Sequence, residues 1–380
     1  MRIIHISDSH LGYAAYRKST KEGINQREID VYNAFEQFVK YAIDVKPDFI
    51  VHSGDLFDSV RPNNRAITFA IKQMVRLSKE QIPVVIISGN HEHPKLRETG
   101  HIFSVFEHID NIYPVYNEKY EKIIFTVDGE EITIHAVPQC NSKNTFNQEL
   151  KKIIPEKNSD YNIFMAHGSV TGVKDFTMNE FNELIIPTRI FNRNFDYIGL
   201  GHYHKYTKLG KNAYYSGATE NFTFTEANDK KGFIELKLNK NKLKTNFVEI
   251  NTRPMVDSQP IKCSDLKIDQ IMKKIKNEIK KIQPKEKTVR LTLEDISPNI
   301  YRNLDFNEIR KEFKDSVHYE IKLSEKEEKE KDYSFSSSKI NALVNEFKDF
   351  MENQQIKDKK TVLDMGVGYI EKIEAKKEGK

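Results

Sequence analysis

Ile3-Ile4-His5-Ile6-Ser7-Asp8-Ser9-His10 opens the chain with an apolar run that breaks into an acid and a histidine two residues apart. The arrangement returns four times. Phe49 to His52 lead into Ser53-Gly54-Asp55, Val84 to Ile87 into Ser88-Gly89-Asn90-His91, Ile163 to Ala166 into His167, and Tyr197 to Leu200 into Gly201-His202-Tyr203-His204. Short Val/Ile/Phe-rich runs bounded by Gly and polar residues predict buried strands. Polar residues at strand ends sit on loops held by a rigid sheet, where α/β folds carry their chemistry. The glycines before Asp55, Asn90 and His202 let the backbone turn sharply and approach an ion closely.

Asp8, His10, Asp55, Asn90, His167, His202 and His204 make two carboxylates, one amide and four imidazoles with no thiolate. That set suits manganese, iron or zinc and argues against a thiolate-rich structural zinc site. Asp-x-His and His-x-His on an extended segment turn both side chains to one face, because the strand period is two. Seven residues supply four ligands to each of two ions only if one is shared, and a carboxylate bridges best. Asp55 is the choice, since it stands alone in its motif while Asp8 already has His10 beside it. Any one of these motifs alone carries little weight; five in order, each after a predicted strand, carry the reading. His52, inside its run, predicts a hydrogen-bonded core histidine. His5, His93, His101, His108 and His135 fit none of the motifs.

With those residues in view, the set DSH, GD, GNH, H and GHYH resembles the calcineurin-like metallophosphoesterases over about the first 220 residues. Within them, ISDSHLGY, HSGDLFDSVRP, SGNHE, MAHG, GLGHYHK and SGATENFTF are similar to the repair nucleases of the SbcD type, the meiotic recombination eleven family. The resemblance implies an α/β fold: a four-layer αββα sandwich with a small α/β capping domain and a C-terminal helical tail. It implies two Mn2+ per subunit, with Mg2+ or another divalent ion as a poorer substitute. One ion would take Asp8, His10 and His204, the other Asn90, His167 and His202, with Asp55 between them. Such a pair polarises a phosphodiester and stabilises its attacking and leaving oxygens. His91 would orient the scissile phosphate and stabilise or protonate the leaving oxygen. The implied substrate is DNA, degraded from 3′ to 5′ as an exonuclease and cut in single strands and hairpins as an endonuclease. The implied partners are a second copy of the chain and an SMC-like ABC ATPase of the SbcC type, bound through the C-terminal helices. Two residues depart from the family pattern: Asp58 stands where histidine is common, which puts an auxiliary catalytic contact in doubt, and Glu92 replaces aspartate.

The remaining chain reads by periodicity. Residues 29 to 45 and 64 to 79 carry apolar stripes at helical spacing, and a third helix is predicted from Leu96 to Ile109, offering a face to the sheet or to a second subunit. The loop from Tyr13 to Arg27, with Arg17, Lys18, Lys21 and Arg27, follows the first ligands and is placed to grip a nucleic-acid backbone, as is Arg61. Residues 1 to 252 form the nuclease domain and residues 253 to 323 an α/β capping domain, with helices at 267 to 283 and 305 to 314 and strands around Val289 to Leu293 and Val317 to Leu323. Residues 324 to 335 are a charged linker. Residues 336 to 380 carry two apolar stripes, Ile340 to Met351 and Val362 to Ile373, that need a partner to bury them.

Across 380 residues the formal charge is only +4, which permits nucleic-acid binding without arguing for it. The two cysteines, Cys140 and Cys263, match no metal or redox spacing and suit a reducing cytoplasm. No apolar run reaches the roughly 18 residues of a membrane span, and no signal peptide is expected. The alternative is a small-molecule or cyclic-nucleotide phosphodiesterase, which would share every ligand but have no use for the basic loop or the tethered helices.

Overall fold

Side chains along Arg2–Ile6 alternate between two cores, and that alternation sets the layering. Ile4 and Ile6 enter one apolar cluster and Ile3 another, as the period of a strand requires. The strand lies inside a six-stranded sheet ordered Lys242–Glu249, Gly232–Asn239, Arg2–Ile6, Phe49–His52, Val84–Ile87, Ile112–Val115. The last four run parallel, and Phe49–His52 and Val84–Ile87 among them are buried throughout, hence their unbroken apolar reading. A second six-stranded sheet runs Thr207–Lys208, Ala213–Tyr215, Tyr197–Gly201, Tyr161–His167, Glu130–Val137, Glu121–Val127.

The two sheets pack face to face through Ile3, Val51, Val85 and Ile87 against Ile134, Ile163 and Met165. Helices α1 (Gln26–Val45) and α2 (Asn64–Lys79) cover the outer face of the first sheet, with Phe35, Phe38 and Met74 on Ile4, Ile50 and Ile86. Helix α3 (Lys143–Lys152) covers the second, with Phe146 and Leu150 on Phe164, Ala166 and Leu200. The result is the four-layer αββα sandwich. α1 starts three residues before its apolar stripe because Asn25 caps it by accepting from Arg27 N, and it ends where Lys46 turns left-handed at φ 47°. Asn63 caps α2 by accepting from Ala66 N.

The structure describes residues 1–96, 98, 100–171, 183–239, 242–324, 347, 348, 351 and 359–375 of a computed structural model. The chain divides into two compact units, Met1–Ser324 and Glu325–Lys380. The helix expected from Leu96 to Ile109 is corrected: among the described residues Ile102–Phe106 forms a 3-10 helix in place of a continuous α-helix, with Phe103 and Phe106 buried against Phe57. His101 caps it by accepting from Phe103 N. Much of that apolar stripe is thus consumed by the protein's own core.

Within the first unit, Thr288–Glu294 pairs in parallel with Met255–Asp257, Ile261–Lys262 and His318–Ser324. Helix α4 (Ile268–Ile282) covers this small sheet with Ile271, Ile275 and Ile279 on Leu291 and Leu293. Side-chain contacts tie it to the sandwich. Arg253 bonds Asp30 and Glu286, Arg290 sits 4.2 Å over the Phe224 ring, and Tyr16 stacks on His318 at 3.9 Å.

In the second unit the helix Lys359–Ala375 carries the Val362, Leu363, Val367 stripe, and Gly366 lies against the Phe347 ring, where a Cβ would collide. The linker from Glu325 and the stripe residues Ile340, Leu343, Val344 and Phe350 lie outside the described residues. Among the described residues no helix is long and apolar enough to cross a membrane.

Candidate two-metal active site

The parallel strands deliver all seven predicted ligands to one place, at the carboxyl ends of both sheets. Asp8, Asp55 and Asn90 follow three strands of the first sheet; His167 ends, and His202 and His204 follow, two strands of the second. The loops lace together through Asp8 N to Gly54 O at 3.0 Å, His10 N to Asp55 O at 3.0 Å and His202 N to the Asp8 carboxylate at 3.0 Å. Their backbones are strained: Asp8, His10, Asp55 and His202 adopt φ of 51°, 45°, 53° and 110°. Residues other than glycine occupy that region only where the surroundings over-determine it. Gly54, at φ 95°, packs against the His167 ring, and a Cβ on Gly89 would strike the Asp55 carboxylate. Close approach, more than turning, is why Gly89 is glycine.

Partners behind the imidazoles fix which nitrogen faces inward. His10 Nδ1 lies 3.3 Å from the Asp58 carboxylate, His204 Nδ1 3.2 Å from Glu226, and His202 Nε2 3.1 Å from Glu183. His167 Nδ1 donates to the Ser53 carbonyl at 2.9 Å. In each neutral ring the proton belongs on the nitrogen facing that acceptor, so the other presents a lone pair. Those lone pairs converge. His10 Nε2 and His204 Nε2 are 3.1 Å apart; His167 Nε2 is 2.9 Å from Asn90 Oδ1 and 3.3 Å from Asp55 Oδ2; His202 Nδ1 is 3.1 Å from Asn90 Oδ1. Asp55 Oδ2 also lies 3.9 Å from His10 Nε2, so one carboxylate stands between two sets of inward acceptors. Acceptor pairs at such distances repel unless a cation lies between them, and N/O donors without sulfur fit a divalent ion of the manganese, iron or zinc type. Ligand atoms of Asp8, His10 and His204, and those of Asp8, Asp55 and His167, fall within 4.8 Å of one another.

Electrostatics point the same way. Burial opposes charge on Asp55, but His167, His10 and His91 hold its carboxyl well below the usual carboxylate range. Burial likewise depresses His167, yet the Asp55 carboxylate outweighs it and raises the ring to about 10, so without a cation a proton takes the inward Nε2 that a metal ion would displace. The cage favours positive charge at its centre. Burial and the Asp55 carboxylate push Glu92 up to about 8, favouring its protonated form, and its Oε1 accepts from Gly89 N at 2.7 Å.

His91 sits at the rim, one-third exposed, with its backbone N–H on Asp55 Oδ1 at 3.0 Å and its Nδ1 on the Asp58 carbonyl at 3.1 Å. Its ring meets His10 edge to face at 4.6 Å. His52 is a core histidine, bonded to Ser9 Oγ at 3.1 Å. Asp58, which sequence reading left without a role, orients His10. Glu183 and Glu226, which orient His202 and His204, were missed, because neither carries a spacing signal.

The predicted DNA contacts separate. Arg17 and Arg61 are exposed and Lys18 half-buried. Tyr13 is engaged internally, donating to the Phe222 carbonyl at 3.1 Å with its ring against Phe222. Arg27 is a correction: it is buried in the first turn of α1, paired with Asp30 at 2.8 Å and bonded to Asn221, and cannot reach a nucleic acid. Beside Asn90, His167 and His202 opens a cleft of about 710 Å³, also lined by His93, Lys95, Glu118 and Asn141.

Residues 1–206 match the family profile described as calcineurin-like phosphoesterase. A protein named "DNA double-strand break repair protein Mre11" from Methanococcus maripaludis is 30% identical over 79% of this chain and 77% of its own length. The chain belongs to the Mre11 family of calcineurin-like phosphoesterases. Proteins of the same name from Sulfolobus acidocaldarius (27% identical, 74% of this chain, 71% of theirs) and Methanocaldococcus jannaschii (31%, 58% and 57%) are also similar. As a member of the Mre11 family the protein is a metal-dependent phosphodiester hydrolase, which the converging lone pairs of its site suit.

Proposed function

We propose that the protein is a two-metal DNA nuclease of double-strand-break repair, working in the cytoplasm as a homodimer with an SMC-like ABC ATPase of the SbcC type. The observation that carries this is the shared Asp55 carboxylate between two sets of inward-facing lone pairs, in a chain similar to proteins named for repair of DNA breaks. Asp8, His10 and His204 would hold one Mn2+, and Asn90, His167 and His202 the other. When bound, the ions polarise the phosphodiester and stabilise the attacking and leaving oxygens of an in-line displacement.

The chain's own residues supply the rest. His91 donates Nδ1–H to the Asp58 carbonyl, and although burial opposes charge, Asp55 and Asp58 raise its pKa, so the ring can carry a second proton on Nε2 that binds a phosphate oxygen and passes to the leaving oxygen. Exposed Arg17 and Arg61, with Lys18, bind backbone phosphates on the entering strand. Exonuclease action from 3′ to 5′, and endonuclease action on single strands and hairpins, are what the resemblance to the SbcD-type nucleases implies for this site. Residues 253–323 shape which ends enter. Val362, Met365 and Tyr369, all exposed on the helix Lys359–Ala375, dock the ATPase.

Cleavage of end-labelled linear duplex with manganese, with magnesium and with chelator tests the reading. Manganese-dependent release of mononucleotides, lost in His91→Ser with both metals retained, is the expected result. Turnover of an aryl phosphodiester with DNA left intact would move the protein to the small-molecule phosphodiesterases.

A further inference from the structure

We infer that the cleft beside Asn90, His167 and His202 is a subsite for the base of a nucleotide flanking the scissile phosphate, and that His93 reads that base. The inference rests on the nuclease reading and goes beyond it by assigning a specificity residue. At about 710 Å³ the cleft has the size of a small-ligand pocket. Three of the proposed metal ligands line it, so a nucleotide whose phosphate lies at the metal site can place its base within.

His93 is the unusual member of that lining. It is 7% exposed, yet neither ring nitrogen meets a partner at close hydrogen-bonding geometry, the Asn141 side chain engaging the ring only weakly. The Glu118 carboxylate, 3.9 Å from Nε2, is instead engaged by the Asn141 side chain at 2.7 Å and its backbone N–H at 2.8 Å. Buried polar atoms without partners are rare in folded proteins and call for an explanation. Burial lowers the pKa of His93, so its ring is neutral and offers one donor and one acceptor. A base edge offers the complement. The formal charges in the lining are Lys95 against Glu118 and Glu183, which disfavours a second phosphate there and suits a neutral, hydrogen-bonding ring.

The test compares kcat/KM for end-labelled duplexes whose two terminal nucleotides either carry bases or are tetrahydrofuran abasic analogues, with manganese. Taking the ratio of the two substrates cancels general damage to the site. The wild type should prefer the base-bearing end about tenfold or more, equivalent to about 1.4 kcal/mol or more. His93→Ala should bring the ratio near one, and His93→Asn, which keeps polar atoms at the site, should fall between. Should the alanine variant fail to fold, the asparagine variant decides. A wild-type ratio of one, or an unchanged ratio in folded variants, overturns the base subsite while leaving the nuclease reading intact. A wild type that hydrolyses an aryl phosphodiester but no DNA overturns both.

Discussion

The Asp58 carboxylate lies 3.3 Å from His10 Nδ1, behind the ring whose Nε2 faces His204. A metal-binding imidazole held from behind by a carboxylate keeps one tautomer and gains basicity. Asp58→Ala should therefore weaken binding of one of the two metals by about 10- to 100-fold, the usual range for losing such a partner. Isothermal titration with Mn2+ would show one class of site shifted and the other kept. Two unchanged sites would mean that Asp58 does not support His10.

Gly89 supports a sharper prediction. A Cβ at this position would strike the Asp55 carboxylate and backbone, so Gly89→Ala displaces the residue proposed to bridge two metals. Both sites should lose affinity together. Because ligands that bind only the folded state stabilise it, Mn2+ at 100 times its Kd adds about 2.7 kcal/mol to the wild type. Thermal melting with and without metal would show that gain in the wild type and its loss in Gly89→Ala; an equal gain in both would refute the collision.

Much of this was legible in the sequence for a physical reason. Parallel strands buried on both faces read as unbroken apolar runs, so Phe49–His52 and Val84–Ile87 announced themselves together with the ligands that follow them. The outer strands Glu121–Val127 and Lys242–Glu249 did not, because their polar and apolar residues mix where one face meets solvent. Helix prediction failed at Leu96 to Ile109, where Phe103 and Phe106 are spaced for a helix but are buried by a single 3-10 turn. The site's inner residues were visible because ligand chemistry restricts their types. Glu183 and Glu226 were invisible because any acceptor can brace a histidine, and only the fold brings them near.

Buried histidines away from the site should make the protein acid-sensitive. Burial, with His52 nearby, lowers His5 to about 3, against about 6.5 in the unfolded chain. Above pH 6.5 both states are neutral and the group contributes no slope. Below it the unfolded chain takes up the proton and the folded one does not, so stability falls by about 1.4 kcal/mol per pH unit for this group, down to about pH 3. His5→Gln, which can keep a hydrogen bond to Tyr197, should flatten the decline between pH 6.5 and 5 by about 2 kcal/mol. Urea unfolding at several pH values measures this directly, and parallel declines in the two proteins would rule out His5 as the cause.

Arg27 and Arg17 lie ten residues apart in the same basic stretch but occupy opposite environments. Arg27 is 1% exposed, paired with Asp30 and close to Glu220, and its removal strands buried carboxylates. Arg27→Met should cost about 3 to 5 kcal/mol of stability, the range for breaking a buried pair by deleting one partner. Arg17 is exposed, and Arg17→Gln should leave stability within about 0.5 kcal/mol. For DNA the order reverses: Arg17→Gln should lower the slope of log affinity against log salt by about one, as loss of one phosphate contact does, while folded Arg27→Met keeps the wild-type slope. Fluorescence anisotropy with a labelled duplex across a salt series separates the two. An unchanged slope in Arg17→Gln would remove that loop from the proposed DNA path and leave Arg61 to be examined in its place.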